Sequence, residues 1–230
     1  MITALGDSVI KGVLVQLDDS TGLRQYRVSR HTIVDYCAHL LHTDSLNLGR
    51  FGCTAPVGEL VAERNQDKLR ASDIVLIEYG GNDSDYDWKA IADNPQGHFV
   101  PRTDLPSFTA AYHRIIGLVR KAGATPVVLS LPPMDEKRYF NFFSRNWCRE
   151  QVMNVQQWLG KSLQKMRQGH ELYNQTTRRI ALTHQVQFLD IATPFMLRDD
   201  WRDYLCEDGI HPTESGQKRI AEEIVRQLAA

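Results

Sequence analysis

Short apolar runs alternate with longer stretches of helical periodicity along most of the chain. Four runs are brief, apolar and bounded by turn residues, and they predict buried strands at Ile2 to Leu5, Ile74 to Tyr79, Pro126 to Leu131 and Val186 to Asp190. A weaker run from Ser45 to Leu48 predicts a fifth strand. Strands that alternate with helices indicate a parallel, doubly wound sheet of about five strands with right-handed crossovers.

Between the predicted strands, apolar residues recur three and four positions apart, which is typical of helices that pack one face on a sheet. The clearest stripes are Ile33, Val34, Cys37, Leu40 and Leu41; Phe108, Ala111, Tyr112, Ile115, Ile116 and Val119; and Ile220, Ala221, Ile224, Val225 and Leu228. Lys121 and Gly123 supply a cation and a C-cap glycine at the end of the second stripe. Between Arg149 and Thr183 the spacing predicts one helix broken near Gly169.

One segment near the N-terminus departs from this alternation. Val13 to Leu17 and Leu23 to Val28 indicate two extended arms around a turn at Asp18 to Gly22. This pattern predicts a small hairpin inserted after the first strand. No linker rich in proline, glycine or serine divides the chain and no repeat occurs, so we expect a single domain over residues 1–230 with the hairpin near 13–28.

The composition is that of a globular protein, with 42% hydrophobic and 24% charged residues among 230. Lys and Arg number 27 against 28 Asp and Glu, a net charge of −1, which gives no electrostatic reason to expect nucleic acid or an anionic membrane as partner. The N-terminal MITALGDS lacks the basic and apolar regions of a secretory signal, and no apolar run approaches the ~18 residues of a membrane span. The sequence therefore favours a cytoplasmic protein with no membrane span.

The sequence does not favour a metal site. Cys37, Cys53, Cys148 and Cys206 lack CxxC spacing, which indicates reduced thiols rather than zinc ligands or a disulfide framework. The carboxylates of Asp83-x-Asp85-x-Asp87 resemble the start of a calcium loop. That interpretation is disfavoured because Trp88 stands where such a loop needs glycine and Asn94 where it needs glutamate.

Polar and glycine-containing segments follow the predicted strands, at the edge of a parallel sheet where ligands bind. They are Gly6-Asp7-Ser8, Asn47 to Thr54, Gly80 to Asp83 and, after the fifth strand and a connecting segment, Asp208 to Pro212. Acyl transfer by a serine requires a histidine to remove the hydroxyl proton and an acceptor to orient that histidine. Ser8, His211 and Asp208 fit these three roles.

A tetrahedral intermediate also requires preorganised hydrogen-bond donors for its oxyanion. The backbone N–H groups of Ser8 and Gly52 and the side-chain amide of Asn82 are the candidates. Each segment also has a purely structural interpretation. Asp7 with Ser8 could form a helix N-cap, Gly80 to Asp83 a turn, and Asp208 to Pro212 a loop before the last helix.

These segments, in this order over residues 4 to 221, resemble the motifs of the SGNH (GDSL-type) hydrolase family. The resemblance implies a flavodoxin-like three-layer α/β/α sandwich, no metal or organic cofactor, and ester hydrolysis through an acyl-enzyme. It implies that Ser8 is the nucleophile, that His211 and Asp208 are base and acid, and that Ser8, Gly52 and Asn82 form the oxyanion hole. Two departures are Val9, where many members have leucine, and a helix after Ser8 of only about one turn.

The sequence specifies the type of reaction more closely than it specifies the substrate. We expect a small soluble or carbohydrate ester with a short acyl group, acetyl above all. An acyl-thioesterase, lysophospholipase or acyltransferase of the same family is the alternative, and a non-catalytic flavodoxin-like binding module is a further one. Three stretches exceed the needs of the α/β unit, at Val13 to Val28, Ser84 to Leu105 and Pro132 to Trp147, and we expect them to line the cleft and select the substrate.

Two groups of side chains remain open at this stage. The aromatic loop 139–147, with Tyr139, Phe140, Phe142, Phe143 and Trp147, predicts either a wall of the substrate pocket or a homo-oligomer interface. Seven further histidines have no matched partner, which favours surface or core packing. They are His31, His39, His42, His98, His113, His170 and His184.

Overall fold

The computed structural model describes residues 1–18, 20–21 and 23–229, so Asp19 and Gly22 of the predicted turn lie outside the described residues. The strands are β1 Ile2–Gly6, β2 Val13–Leu17, β3 Arg24–Val28, β4 Ser45–Asn47, β5 Ile74–Glu78, β6 Thr125–Leu129 and β7 Gln187–Leu189. The helices are α1 Ser8–Lys11, α2 Ile33–Leu41, α3 Ala55–Arg64, α4 Gln66–Arg70, α5 Trp88–Asp93, α6 Leu105–Lys121, α7 Glu136–Ser144, α8 Arg149–Trp158, α9 Gln164–His184, α10 Thr193–Met196 and α11 Glu214–Leu228.

The central sheet is parallel and has five strands in the order β4-β1-β5-β6-β7. This is the flavodoxin-like strand order, and it confirms the predicted fold class. The sequence placed all five strands, with ends that differ from the structure by up to two residues. The order reverses at β1, so the crevice at the switch point opens beside the carboxyl ends of β1 and β5. Ser8 and Asn82 follow those two ends.

Helices cover both faces of the sheet because alternate strand residues point to opposite sides. On one face α3, α6 and α9 pack over Leu5 and Ile77, with Phe108, Ile115 and Ile180 fully or almost fully buried. On the other face α2, α10 and α11 pack over residues of the same strands. The buried residues on this face include Ala4 and Leu76 of the strands and Ile33, Ile220 and Ile224 of the helices. No helix among the described residues is both long enough and apolar enough to cross a bilayer.

Strands β2 and β3 form a separate antiparallel hairpin directly after α1. Val13, Leu14 and Val15 are buried against Phe142 of α7 and Cys206, whereas every residue of β3 is exposed. The hairpin therefore rests on the segment that precedes His211.

Between Arg149 and Thr183 the helix is broken, but the predicted position of the break near Gly169 is wrong. The chain leaves the helix after Trp158 and begins α9 at Gln164, whereas Gly169 lies inside α9. Gly160 and Lys161 have φ values of 66° and 62°, the left-handed backbone that ends a helix. A Cβ at Gly169 would meet no atom within 4 Å, so neither space nor backbone conformation requires glycine at this position.

A second apolar cluster lies outside the sandwich, and we call it the aromatic cap. It joins α5, α7, α8 and the first turn of α9. Its buried members include Trp88, Phe140, Val155 and Met166, with Tyr86, Phe143, Trp147 and Trp158 packed against them. The predicted loop 139–147 is mostly helix, because Asp135 caps α7 by accepting hydrogen bonds from the N–H groups of Lys137 and Arg138.

Candidate active site

Ser8 stands where β1 ends and the short helix α1 begins. The Asp7 carboxylate accepts a hydrogen bond from Val9 N at 2.8 Å, so Asp7 is the N-cap of α1. Gly12, at φ 80°, ends the helix after four residues. The structural interpretation of Asp7 as a cap is thus correct, and it fixes Ser8 at the first helical position, facing the switch-point crevice.

Ser8, His211 and Asp208 form a continuous chain of contacts. His211 Nε2 lies 2.8 Å from Ser8 Oγ, and His211 Nδ1 lies 2.5 Å from Asp208 Oδ2. All three side chains are buried. This geometry allows the imidazole to take a proton from Ser8 while Asp208 fixes its tautomer and stabilises its cation.

The loop that carries Asp208 and His211 is held by its own backbone. Asp208 Oδ1 accepts from His211 N at 3.1 Å, and Cys206 N donates to His211 O at 2.7 Å. Gly209 has φ 74°, and a Cβ there would lie 2.8 Å from Asp135 O, so both conformation and space require glycine. The hairpin braces the loop from outside, since Leu17 N donates to Glu207 Oε2 at 2.9 Å.

The candidate oxyanion donors come from three strand ends. Within the described residues, neither Ser8 N nor Gly52 N donates a hydrogen bond to a protein group. Gly52 has φ 66° and open space where a Cβ would stand, so its backbone conformation explains the glycine. Asn82 donates one amide hydrogen to Asp7 Oδ2 at 2.8 Å and has a second hydrogen for a ligand.

Two acidic residues fix the positions of these donors. Asp7 orients the amide of Asn82 in addition to capping α1. Asp83 is fully buried, and its two oxygens accept from Ala55 N at 3.0 and 3.1 Å at the start of α3. Burial raises the pKa of Asp83 to about 6, although the Ala55 hydrogen bonds oppose this rise. Asp83 thereby ties the segment after Gly52 to the segment that holds Asn82.

Glu78 is a further buried carboxyl group in this region. It ends β5, pairs in register with Gly6, and is only 1% exposed. Burial, reinforced by the charge of Asp7, raises the pKa of Glu78 well above its usual range. Burial also raises the pKa of Asp7, but the hydrogen bonds from Val9 and Asn82 and the proximity of His211 lower it. Of these two neighbouring carboxyl groups, Glu78 is the one whose protonated form burial favours more strongly.

Replacing Glu78 with glutamine should change how stability depends on pH. Glu78 has a higher pKa in the folded than in the unfolded chain, so its contribution is complete below the unfolded value, about 4.3, and is lost as pH rises toward the folded value. Glutamine does not titrate. The melting temperature of Glu78→Gln minus that of the wild type should therefore increase as the pH rises from 4 to 9.

The matched control for this prediction is Glu222→Gln, at an exposed glutamate on α11. Its melting curve should run parallel to that of the wild type over the same pH range. A parallel curve for Glu78→Gln as well would show that Glu78 ionises as freely in the folded as in the unfolded chain.

Ser8 and His211 open onto a cavity of about 1180 Å³. The three stretches expected to line the cleft all do so, which confirms that part of the prediction, and their role in selecting the substrate stays a prediction. The hairpin contributes Arg24 and Tyr26; the second stretch contributes Ser84, Asp85, Tyr86, Asp87, Trp88, Lys89 and Arg102; the third contributes Pro132, Pro133, Met134, Tyr139, Phe142, Phe143 and Trp147. The aromatic segment 139–147 is thus a wall of the pocket. A fourth contributor, from Trp158 to His170, has no counterpart among the predicted stretches.

The rim of the cavity joins the hairpin to the aromatic cap. Arg24 Nη2 donates to the carbonyl oxygens of Phe142 and Phe143 at 3.0 and 3.2 Å. The ring of Tyr26 meets Phe51 edge-on, with ring centroids 5.4 Å apart. Trp88 and Phe143 stack at 5.3 Å with an interplanar angle of 7°.

The three carboxylates of the resembled calcium loop have separate structural tasks. Asp83 binds the start of α3, Asp85 accepts from Trp88 Nε1 at 2.7 Å, and Asp87 caps α5. Across residues 1–18, 20–21 and 23–229, no three potential metal ligands cluster. These carboxylates therefore stabilise the fold around the cavity.

Among the described residues, the cysteine thiols and the other histidines form no hydrogen bond with Ser8. The sequence interpretation that these histidines have no matched partner is wrong for two of them. His113 and His184 contact each other through Nδ1 and Nε2, so these two are partners across α6 and the end of α9. Burial raises the pKa of the Cys37 and Cys53 thiols to about 12 and that of Cys206 to about 11, which suppresses their thiolates. Cys148 is exposed.

Sequence reasoning gave no role beside Ser8 to Glu78, Asp83 or His170. One signal was available for Glu78, a charged residue inside the apolar run Ile74 to Tyr79. Asp83 has a local signal only as part of the segment Gly80 to Asp83 and of the calcium-like pattern, and His170 has none. Their partners or cavity neighbours lie far away in the sequence.

Comparison with known proteins agrees with this architecture. The chain is 24% identical over 157 residues to a GDSL esterase/lipase of Oryza sativa subsp. japonica, an alignment that covers 67% of this chain and 53% of that protein. The chain thus spans about half the length of this curated relative.

Solved structures with the same fold cover nearly the whole chain. A catalytic mutant of an acetylxylan esterase from Geobacillus stearothermophilus superposes with a TM-score of 0.67 at 16% identity, over 100% of this chain and 94% of that one. A lipase/acylhydrolase from Enterococcus faecalis gives a TM-score of 0.63 at 16% identity, over 99% and 94% of the two chains.

The family assignment rests on a match along most of the sequence. The model of the GDSL-like lipase/acylhydrolase family matches residues 4–219, which include all four strand-end segments. The chain therefore belongs to the GDSL-like lipase/acylhydrolase family.

Proposed function

We propose that this protein is a serine esterase that removes short acyl groups, acetyl above all, from a small or carbohydrate alcohol through an acyl-enzyme. The observation that carries the proposal is the chain of contacts from Ser8 through His211 to Asp208 on the wall of the large cavity. These residues provide a nucleophile, a base and an orienting acid in one buried site.

In the acylation step, Ser8 Oγ attacks the ester carbonyl carbon and His211 Nε2 takes the hydroxyl proton. The carbonyl π electrons move to oxygen, and the oxyanion receives hydrogen bonds from Ser8 N, Gly52 N and Asn82. Each such preorganised donor contributes about 3 kcal/mol to transition-state stabilisation in serine hydrolases. The bond to the alcohol oxygen then breaks, and the leaving alcohol takes the proton from His211.

Deacylation repeats these steps with water. His211 removes a proton from water as the water oxygen attacks the acyl carbon, and the same donors stabilise the second oxyanion. The bond to Ser8 Oγ breaks, Ser8 recovers its proton from His211, and the carboxylic acid leaves.

The cavity walls support a small or carbohydrate alcohol as the leaving group. Aromatic rings from the hairpin and the aromatic cap share the lining with a larger number of polar and charged side chains. The cavity therefore offers ring faces for packing and hydrogen-bonding groups for a polar ligand. The structural relative from Geobacillus stearothermophilus is described as an acetylxylan esterase. That likeness adds support for an acetylated sugar.

The alternative within the family is a lysophospholipase or acyl-thioesterase, which would place a long acyl chain in the same cavity. Its volume of about 1180 Å³ is large for an acetyl group alone. The two assignments differ in which part of the ester occupies the space, the alcohol or the acyl chain.

A substrate series separates the two assignments. We expect kcat/KM to be highest for acetyl and to fall with chain length in a series of 4-nitrophenyl esters from C2 to C12. An acetylated xylobiose should be hydrolysed as well. A clear optimum at C8 or longer, with no release of acetate from the sugar ester, would instead establish the long-chain assignment.

A further inference from the structure

His170 is a polar side chain of the cavity that the proposed chemistry does not use. It lies on α9, lines the same cavity as Ser8, and is 9% exposed. Met166, one turn earlier, packs into the aromatic cap, and Tyr173, three residues later, packs into the core above α3 and α6. His170 therefore occupies the boundary between two apolar clusters, on the face of α9 that meets the cavity.

The imidazole has no partner in the part of the chain that the structure describes. Among residues 1–18, 20–21 and 23–229, no group forms a hydrogen bond or an ion pair with it, and burial alone perturbs its pKa. His170 lines the cavity, and its ring nitrogens are not among the buried polar atoms that are sealed from solvent without a partner. The nitrogens therefore have access to solvent, and a ligand that displaces this solvent must supply hydrogen bonds in its place.

The protonation state of His170 restricts the ligand chemistry. Burial lowers its pKa to about 4, so the ring is neutral near pH 7, with one N–H donor and one acceptor nitrogen. A hydroxyl group matches this pair because it can both donate and accept. Of the four lysine and arginine side chains on the cavity wall, three are already engaged: Arg24 with carbonyl oxygens of α7, Arg102 with Asp85, and Lys89 with Asp93.

We propose that His170 binds the alcohol portion of the ester, and that the group it recognises is an uncharged hydroxyl of a sugar or another polyol. This inference rests on the proposed function and specifies its substrate class. An alkyl chain in the same place would cover the ring nitrogens without bonding to them. A polyhydroxylated ring satisfies them and still packs its apolar face against the neighbouring aromatic side chains.

The test compares two esters with the same acyl group. His170→Phe keeps a planar ring but removes both nitrogens, and His170→Gln keeps a donor and an acceptor. For acetylated xylobiose, we expect His170→Phe to lower kcat/KM by roughly 10- to 100-fold, mainly through KM, and His170→Gln to lose less. For 4-nitrophenyl acetate, whose leaving group has no hydroxyl for His170, both variants should stay within about twofold of the wild type.

The control variant is His39→Phe, at an exposed histidine of α2 that is not part of this cavity, and it should leave both activities unchanged. Equal losses on both esters, or no loss on either, in folded His170 variants would overturn the proposed role of His170. Either outcome would leave the proposed esterase activity intact. If the wild-type enzyme cleaves aryl esters but releases no acetate from the sugar ester, the proposed substrate class fails, and this inference fails with it. Inactivity of the wild type on every ester would contradict the proposed esterase itself.

Discussion

Replacing Ser8 with alanine should reduce ester hydrolysis to the background rate, with a loss in kcat of about 10⁶-fold, the size found when the serine of a serine-protease triad is removed. The reason is that Ser8 Oγ is the one hydroxyl in contact with His211 Nε2 among the described residues. The change removes one oxygen and one hydrogen bond, so the free energy of unfolding should fall by only about 1 to 2 kcal/mol. Initial rates on 4-nitrophenyl acetate and thermal melting check both parts.

Covalent labelling gives an independent readout for Ser8. A fluorophosphonate should label the wild type at a single serine and leave Ser8→Ala unlabelled. Ser215→Ala, at an exposed serine on α11, is the matched control and should be labelled and active like the wild type. An unlabelled wild type would indicate the non-catalytic binding module instead, and full activity in Ser8→Ala would assign the nucleophile elsewhere.

Replacing Asp208 with asparagine should lower kcat by roughly 10⁴-fold while the loop keeps its conformation. Asp208 Oδ2 accepts from His211 Nδ1, and an amide nitrogen in that place would favour the wrong tautomer of the imidazole. Oδ1 accepts from the backbone N–H groups of Ile210 and His211, a task that the asparagine oxygen retains. Single-turnover kinetics with 4-nitrophenyl acetate would show the loss in the acylation step.

Two comparisons make this second prediction specific. Asp203→Asn, at an exposed aspartate just before the same loop, should keep full activity. Asp208→Asn combined with Ser8→Ala should be no less active than Ser8→Ala alone, because residues that act as one unit have non-additive effects. More than a tenth of wild-type activity in Asp208→Asn would remove Asp208 from the proposed mechanism.

Several features of the fold could be predicted from local patterns. The runs around Ile2, Ile74 and Pro126 are apolar throughout because strands of a covered parallel sheet are buried on both faces, and the structure has strands at each of them. The strand order followed from the motif resemblance together with the alternation of strands and helices. The short helix after Ser8 was predicted from Gly12, whose left-handed backbone ends α1.

Other features depended on packing that no local pattern shows. The helix break at Gly160 and Lys161 was assigned to Gly169, because an interior glycine and a terminal one look alike in sequence until the neighbouring helices are placed. The segment 139–147 is predicted as a loop, whereas most of it belongs to the helix Glu136–Ser144. The apolar side chains of this helix face the aromatic cap rather than the sheet. The contact of His113 with His184 joins residues on different helices.

The sequence by itself determined the strands, the fold class and the strand-end residues Ser8, Gly52, Asn82, Asp208 and His211, because periodicity and turn chemistry are local and the motifs occur in order. Only the tertiary structure decided that Asp7 orients Asn82, that Asp83 holds the start of α3, that Glu78 lies buried beside Asp7, and that His170 reaches the cavity. The physical reason is distance along the chain. Strands far apart in sequence meet at one switch point, and the pairing of their side chains depends on how the sheet and its helices pack.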